Sequence, residues 1–159
     1  MTDSVGDADV LGWAVREPSV VARYRRLVFP TPVLRGDLVW LGALSSGGHG
    51  RFWIGRRRGR GVAWALAYGP DGMAGWPVEH LCDEPWCQNP AHLVLSSTAA
   101  NTTAWWARRD LPGSPLRDVR GPRGRAVAIR EAVMVGGNVA AAVRAGLAPQ
   151  DAAQPRLEF

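Results

Sequence analysis

The spacing of apolar residues changes several times along the chain, and each change predicts a new element. Between Leu11 and Arg26 these residues recur at helical spacing, with an interruption near Pro18 that predicts one or two short helices. Residues 29–32 (FPTP) are expected to be extended, because the residue before a proline avoids the helical region. Residues 1–36 are therefore predicted to form a helical extension.

The pattern from residue 38 to residue 68 is typical of antiparallel strands joined by turns. LVWLGAL (38–44) predicts a strand, SSGGHG (45–50) a turn and RFWIGRRR (51–58) a second strand. VAWALAY (62–68) is either a third strand or a buried helix, and its alanines and leucine favour the helix.

The next segment predicts a strand, a loop, a strand and a helix in that order. PVEHLC (77–82) and AHLVL (91–95) are the strands, and DEPWCQNP (83–90) is the loop. Ser96, Ser97 and Thr98 are good N-caps for a helix that runs to about Asp110, with Asn101 in its first turns.

The C-terminal part is predicted to be helical after a linker. Residues 111–125 are rich in Arg, Gly and Pro, whereas RAVAIREAVMV (125–135) and VAAAVRAGL (139–147) predict two helices that pack as a hairpin. The expected fold class is α+β, with a small antiparallel sheet, a core at 37–110 and a helical tail at 126–159.

Composition limits the classes of function. A chain of 159 residues is long enough for one domain with tails. It has no apolar run long enough for a membrane helix, and its acidic N-terminus lacks the features of a signal peptide, so a cytoplasmic location is expected. All nineteen basic residues are arginine and the net charge is +5, which favours a polyanionic partner such as nucleic acid. Codon bias towards arginine would produce the same excess.

Residues able to bind metals are concentrated between His80 and Asn101. This stretch contains both cysteines of the chain and two of its three histidines. Cys82, Cys87 and His92 have the spacing Cys-x4-Cys-x4-His, with which two thiolates and an imidazole can converge on one tetrahedral zinc ion. His80 and Asn101 are left over, and a histidine with a neutral oxygen ligand beside such a loop suggests hydrolysis. The alternative is that both cysteines are small buried apolar side chains.

The second predicted strand carries a candidate nucleic-acid surface. Alternation places Phe52 and Ile54 on the core side and directs Arg51, Trp53 and Arg57 outward. A twisted ribbon with arginines on its open face can enter a DNA major groove, although an ordinary solvated face has the same composition. The candidate DNA-binding residues are Arg51, Trp53, Arg56, Arg57, Arg58 and Arg60.

The stretch that begins at His80 resembles the His-Cys box of the HNH, or ββα-metal, nucleases, a superfamily that includes homing endonucleases. HLCDEPWCQNPAHL (80–93) is similar to the family pattern of His-Leu-Cys, a short loop and Cys-x-Asn-Pro-x-His-Leu, followed by an asparagine on the next helix. The upstream segment SGGHGRF (46–52) resembles the turn and strand that precede the box in phage and bacterial members. The resemblance covers about residues 37–106.

The resemblance implies a metal-dependent DNA endonuclease with three catalytic residues. His80 would be the general base that takes a proton from the attacking water. Asn101 would hold a hydrated Mg²⁺ or another divalent ion, and Arg51 matches the arginine that contacts the scissile phosphate. The products would carry 5′-phosphate and 3′-hydroxyl ends.

The chain departs from the family pattern at the fourth ligand of the structural zinc. In the family an upstream cysteine completes the site formed here by Cys82, Cys87 and His92, and Asp37 occupies its position in this chain. A carboxylate oxygen can bind zinc, so Asp37 is the expected fourth ligand. His49 is the other candidate.

Glu79 offers an alternative metal assignment within the same family. It stands where many relatives carry an Asp or His that binds the catalytic metal. In that scheme Glu79 and His92 hold the catalytic ion and Asn89 braces the loop. The cysteines at zinc spacing and the position of Asn101 favour the first assignment.

The last six residues, QPRLEF, resemble the Gln-x-x-Leu-x-Phe peptide by which many bacterial DNA enzymes bind the sliding clamp. Gln154, Leu157 and Phe159 would make the contacts, although a terminal Leu-x-Phe can also fold back onto its own core.

Homing relatives often form dimers, so a homodimer is a further expectation. The expected function is a homing-type or phage-type endonuclease of double-stranded DNA; the alternative is a DNA-binding or clamp-docking module with little or no cleavage.

Overall fold

The computed structural model describes residues 7–31, 34–59, 61–73 and 76–152. In chain order its elements are α1 (Asp7–Ala14), α2 (Pro18–Arg25), β1 (Val28–Pro30), β2 (Leu38–Trp40), β3 (Trp53–Ile54), β4 (Arg57–Arg58), α3 (Val62–Tyr68), β5 (Val78–His80), β6 (Leu93–Leu95), α4 (Thr98–Arg109), α5 (Gly121–Met134), α6 (Val139–Arg144) and α7 (Pro149–Ala152). Helices combined with small antiparallel ladders confirm the α+β prediction.

Residues 7–25 form two short helices separated just before Pro18, as predicted, and β1 follows them within the segment 1–36 that was expected to be helical. Pro18 is the first residue of α2, a position where no intrahelical hydrogen bond needs its missing N–H. The Glu17 carboxylate caps the helix by accepting from the Ser19 amide at 3.3 Å. The inward face of α2 buries Val20 and Tyr24. This helix is therefore packed against the core.

Residues 38–68 do not form one sheet, contrary to the prediction. Within the described residues the strands form three separate antiparallel pairs, β1 with β2, β3 with β4 and β5 with β6. The reason lies in β2, whose edges are both occupied. β1 pairs along one edge, and on the other Val39 forms a bridge with Cys87 while the Gln88 amide donates to the Leu38 carbonyl at 2.8 Å.

The segment predicted as one strand at 51–58 is a tight hairpin. Ile54 pairs with Arg57, which leaves a two-residue turn at Gly55 and Arg56. Gly55 has φ +58°, a conformation that glycine adopts without strain and that two-residue hairpin turns require. The predicted alternation is confirmed for Phe52 and Ile54, which are buried, and for Trp53, which is exposed. It is wrong for Arg51, which was expected to point outward but has a buried Nε atom.

The region 62–95 contains a helix and then a β-hairpin. Val62–Tyr68 is a helix, as its composition favoured. β5 and β6 pair in the register His80↔Leu93, and the loop between them carries both cysteines. α4 follows directly, and the Ser97 hydroxyl caps it by accepting from the Ala100 amide at 3.1 Å. The predicted order of strand, loop, strand and helix is confirmed.

The first C-terminal helix begins earlier than predicted, whereas the second begins at the predicted residue. α5 starts at Gly121, inside the segment expected to be a linker, and its side chains Arg125 and Ile129 are buried. α5 and α6 contact each other as a helical hairpin, as predicted, and the Asn138 side chain caps α6 through the Ala141 amide at 2.9 Å.

The hydrophobic core joins all parts of the chain. Its most buried large side chains are Trp40, Trp86, Ile129, Val39 and Cys87. They come from β2, the cysteine loop and α5, so the loop is held between an upstream strand and a downstream helix. Among the described residues, no helix has the length and apolar character needed to cross a membrane.

Candidate active site

Four side chains with metal-binding atoms converge beside the loop between β5 and β6. One ligand atom from each of Asp37, Cys82, Cys87 and His92 lies within 4.8 Å of the other three. The His92 Nδ1 atom is 2.8 Å from Asp37 Oδ1 and 3.6 Å from Cys87 Sγ, and both cysteines are free thiols. Two thiols, an imidazole and a carboxylate form a donor set that suits tetrahedral zinc. These residues therefore fit a structural zinc ion.

Backbone contacts hold the cluster in place. The Asn89 side chain donates to the Gly36 carbonyl at 2.8 Å and accepts from the Ala91 amide at 3.0 Å, which ties the loop to the residue preceding Asp37. Asn89 thus braces the loop. Without a metal, the Cys82 thiol and burial raise the pKa of Cys87. Binding of a metal to this cluster would therefore release protons.

The ring of His80 is oriented by the same loop. Its Nε2 lies 3.2 Å from the carbonyl oxygen of Cys87. A carbonyl oxygen only accepts hydrogen bonds, so in the neutral ring Nε2 carries the proton and Nδ1 has the free lone pair. Burial, with the nearby His49 imidazole as the second cause, lowers the pKa of His80 to about 4. The imidazole is therefore neutral at pH 7, and its Nδ1 lone pair is free, although the lowered pKa makes it a weaker base than an exposed histidine.

His80 shares a cavity of about 750 Å³ with His49 and Arg51. The His49 and His80 rings have their centroids 5.8 Å apart. The Nε atom of Arg51 is buried, and within the described part of the chain it has no hydrogen-bond partner. A buried guanidinium nitrogen without a partner gains from an anionic ligand such as a phosphate oxygen.

Asn101 and His49 are the remaining metal-ligand candidates from the sequence. Asn101 is half-buried in the first turn of α4, and it is not among the described residues that line the cavity with His80. His49 lines that cavity but does not belong to the four-residue metal cluster found among the described residues.

Glu79 forms an ion pair with Arg108 through its carboxylate. It lies next to His80 on β5, its side chain is buried, and its carboxylate accepts from Arg108 at 3.1 Å. Arg108 also binds Asp83 at 2.9 Å, so the guanidinium joins α4 to the strand and the loop. The described metal cluster contains His92 without Glu79. The geometry thus favours Asp37 over Glu79 as the neighbour of His92.

The candidate DNA-binding residues lie mostly on the hairpin formed by β3 and β4. Trp53, Arg56 and Arg57 are exposed there, and Arg51 precedes it. The side chain of Arg58 and all of Arg60 lie outside the described structure. The proposed clamp peptide at 154–159 also lies outside it.

Two residues near His80 were missed by the sequence analysis. Tyr24 and Gln88 both line the cavity, and the Tyr24 hydroxyl donates to the Gln88 side-chain oxygen at 2.8 Å. Gln88 could have been noted as a polar residue next to Cys87. The sequence did not indicate Tyr24 as a site residue, because it lies on the buried face of a helix, 64 residues before Gln88.

The chain thus contains a strand, a loop with a possible metal-binding cluster, a second strand and a helix in succession. Residues 61–103 match the family described as HNH endonuclease, and the match supports membership of the chain in the HNH superfamily. No curated protein and no solved structure matches the chain. The matched segment runs from α3 into α4 and contains His80 and Asn101, whereas Asp37 and Arg51 precede it. It indicates a nuclease of the HNH kind, a class of metal-dependent enzymes that act on DNA.

Proposed function

We propose that the chain is a DNA endonuclease of the homing or phage type that hydrolyses a phosphodiester bond in double-stranded DNA. The observation that carries the proposal is the meeting of His80 and Arg51 in one cavity beside the loop of the HNH-matched segment. A neutral imidazole and an unpartnered guanidinium nitrogen are the groups that water activation and phosphate binding need.

His80 acts as the general base in this proposal. Its Nε2–H is committed to the Cys87 carbonyl, so Nδ1 is the atom that takes a proton from the attacking water. Arg51 binds a non-bridging oxygen of the scissile phosphate and orients the phosphorus for attack. Arg51 lines the cavity that contains His80, which is the placement that this contact needs.

Two metals complete the proposed enzyme. Asn101 would hold the Mg²⁺ ion, or another divalent ion, which when bound supplies positive charge near the leaving 3′-oxygen. The products would then carry 5′-phosphate and 3′-hydroxyl ends. Asp37, Cys82, Cys87 and His92 would hold a structural Zn²⁺ that keeps the loop and the Cys87 carbonyl in place.

The DNA duplex is proposed to lie across the β3–β4 hairpin. Arg56 and Arg57 are exposed on it, and the exposed Trp53 lies between them and the cavity-lining Arg51 along the chain. Arginines in this arrangement neutralise phosphates and bring the duplex towards His80. Arg58 and Arg60 extend the same basic run in the sequence.

The proposed function is tested by plasmid nicking in Mg²⁺ with the wild-type protein and the His80→Ala variant. We expect the variant to lose roughly two to four orders of magnitude in rate, the usual contribution of a general base. Equal nicking by both proteins, at equal zinc content and Tm, would refute the role of His80. Binding of DNA without nicking by the wild type would instead favour a DNA-binding module.

Metal analysis of the His92→Ala variant separates the two metal assignments. Loss of zinc supports His92 as a zinc ligand. Retention of stoichiometric zinc with a changed Mg²⁺ dependence would support Glu79 and His92 as ligands of the catalytic ion.

Clamp docking and homodimer formation are separate proposals. Retention on an immobilised sliding clamp, with and without residues 154–159, tests clamp docking. Light scattering tests homodimer formation.

A further inference from the structure

We propose that Tyr24 and Gln88 are positioning residues for His80, which they reach through the carbonyl oxygen of Cys87. The inference rests on the proposed function, because it identifies the residues that hold the proposed general base. It brings helix α2, which lies outside the HNH-matched segment, into the active site.

The Cys87 carbonyl is the point where the contacts meet. It lies 3.2 Å from His80 Nε2 and accepts from Gln88 Nε2 at the same distance. A carbonyl oxygen has two lone pairs, and these two donors account for both. The Gln88 amide also donates to the Trp86 carbonyl at 3.3 Å, so its NH₂ group is directed at the loop backbone.

Tyr24 determines which end of the Gln88 amide faces the loop. Its hydroxyl donates to Gln88 Oε1 at 2.8 Å, which leaves the NH₂ group pointing to the Cys87 carbonyl. A flipped amide would place two oxygens against each other and lose the hydrogen bond from the hydroxyl. The Tyr24 contact therefore reaches His80 through two further hydrogen bonds.

Tyr24 is itself held firmly. It is 5% exposed, and its ring packs 5.6 Å from the Trp40 ring and 5.4 Å, edge to face, from the Phe52 ring. Burial raises the pKa of Tyr24, which keeps the hydroxyl protonated as a donor. A rigid aromatic group in the core thus anchors a chain of polar contacts that ends at the proposed base.

The test compares Tyr24→Phe and Gln88→Met with a matched control, Tyr68→Phe. Both tyrosine variants remove only a hydroxyl, and the Tyr68 hydroxyl donates to Pro90 at 3.3 Å, in the same loop but away from His80. The readouts are the Nε2–H signal of His80 in ¹H–¹⁵N NMR of the full chain, and kcat and KM for plasmid nicking. Zinc content and Tm are measured in parallel.

We expect Tyr24→Phe and Gln88→Met each to broaden the His80 Nε2–H signal and to lower kcat about two- to tenfold at unchanged KM. Because both act through one carbonyl, the double variant should lose no more than the stronger single variant. Tyr68→Phe should resemble the wild type.

The inference is overturned if both variants keep the His80 signal and a kcat within about twofold of wild type, or if they lose only Tm. Either result leaves the endonuclease proposal intact. A wild-type protein that does not nick DNA refutes the proposed function instead, and the NMR comparison still decides whether Tyr24 and Gln88 hold His80.

Discussion

At the scale of single residues, His80 owes its proposed role to its surroundings. An isolated imidazole titrates near pH 6.5, whereas this ring is buried, faces a second imidazole at 5.8 Å and is committed to a carbonyl through Nε2. Burial disfavours the charged ring, and the neighbouring His49 adds to the effect.

The first prediction concerns this titration. We expect the pKa of His80 in the folded protein to lie near 4, measured by the pH dependence of its side-chain NMR signals and assigned with His80→Ala. The folded pKa is below the unfolded one, so this residue's contribution to stability is complete above pH 6.5. It is lost as the pH falls towards 4, by up to about 1.4 kcal/mol per pH unit. A midpoint at 6.5 or above would contradict the buried position.

The second prediction concerns Asp37. Replacing Asp37 with Ala should weaken zinc retention by more than about tenfold, since even partners outside the ligand shell contribute ten- to a hundredfold. Asp37→Cys should retain zinc, because a thiolate is a common zinc ligand. Chelator competition measures both, with Asp110→Ala as control, since Asp110 is exposed and its carboxylate pairs with the adjacent Arg109. Wild-type retention in Asp37→Ala would remove Asp37 from the proposed site.

At the scale of elements, the cysteine loop is held by a strand on one side and a helix on the other. β2 supplies the Leu38 carbonyl to the loop backbone, and α5 supplies Arg125 to Glu84, which lies between the two cysteines. Both side chains of this pair are almost fully buried, and Arg125 also contacts Asp118 at 3.3 Å. Burial raises the pKa of Glu84 to about 7, and the bidentate guanidinium opposes that rise. The C-terminal helices are therefore part of the support of the site.

The third prediction follows from this pair. Arg125→Ala should lower the free energy of unfolding by about 3 kcal/mol, because it leaves a buried carboxylate without its partner. The exposed Arg144 on α6 is the matched control, and Arg144→Ala should change the free energy by less than about 0.5 kcal/mol. Urea denaturation of both variants measures the two changes in the free energy of unfolding. Equal stability of the two would show that α5 does not anchor the loop.

At the scale of the whole molecule, the net charge of +5 can attract DNA only through arginines that are exposed. Several arginines of α4 and α5 are engaged with carboxylates or carbonyls, among them Arg108, Arg123 and Arg125. Arg56 and Arg57 on the hairpin are exposed near the cavity. Part of the exposed positive charge thus lies on the hairpin that follows Arg51, and further exposed arginines, among them Arg26 and Arg144, lie elsewhere.

The fourth prediction concerns this charge. Wild-type affinity for duplex DNA should fall linearly on a plot of log K against log salt, and Arg56→Ala should reduce the slope by about 0.9, the value of one phosphate contact. Fluorescence anisotropy at several salt concentrations measures the slopes, with Arg144→Ala as the control for a loss of general charge. An unchanged slope for Arg56→Ala would place the duplex away from the hairpin.

The local elements could be predicted from the sequence because their causes are local. The break at Pro18, the cap at Ser97, the helix at 62–68 and the ββα order depend on residues within a few positions of each other. The single sheet expected at 38–68 was wrong, because the pairing of β2 depends on distant segments: β1 before it and the Cys87 loop after it. The hairpin at Gly55 was missed because its two-residue turn lies inside an apolar and basic run.

The sequence by itself determined the spacing of Cys82, Cys87 and His92, since short loops bring such residues together in any compact fold. The family resemblance predicted roles for Asp37 and Arg51, but only the tertiary structure places Asp37 against His92 across 55 residues and Arg51 in one cavity with His80. The tertiary structure also decided that Tyr24 and Arg125, from opposite ends of the chain, support the cysteine loop. Contacts between distant segments depend on how the elements pack, and the residues that make them carry no local signature of their partners.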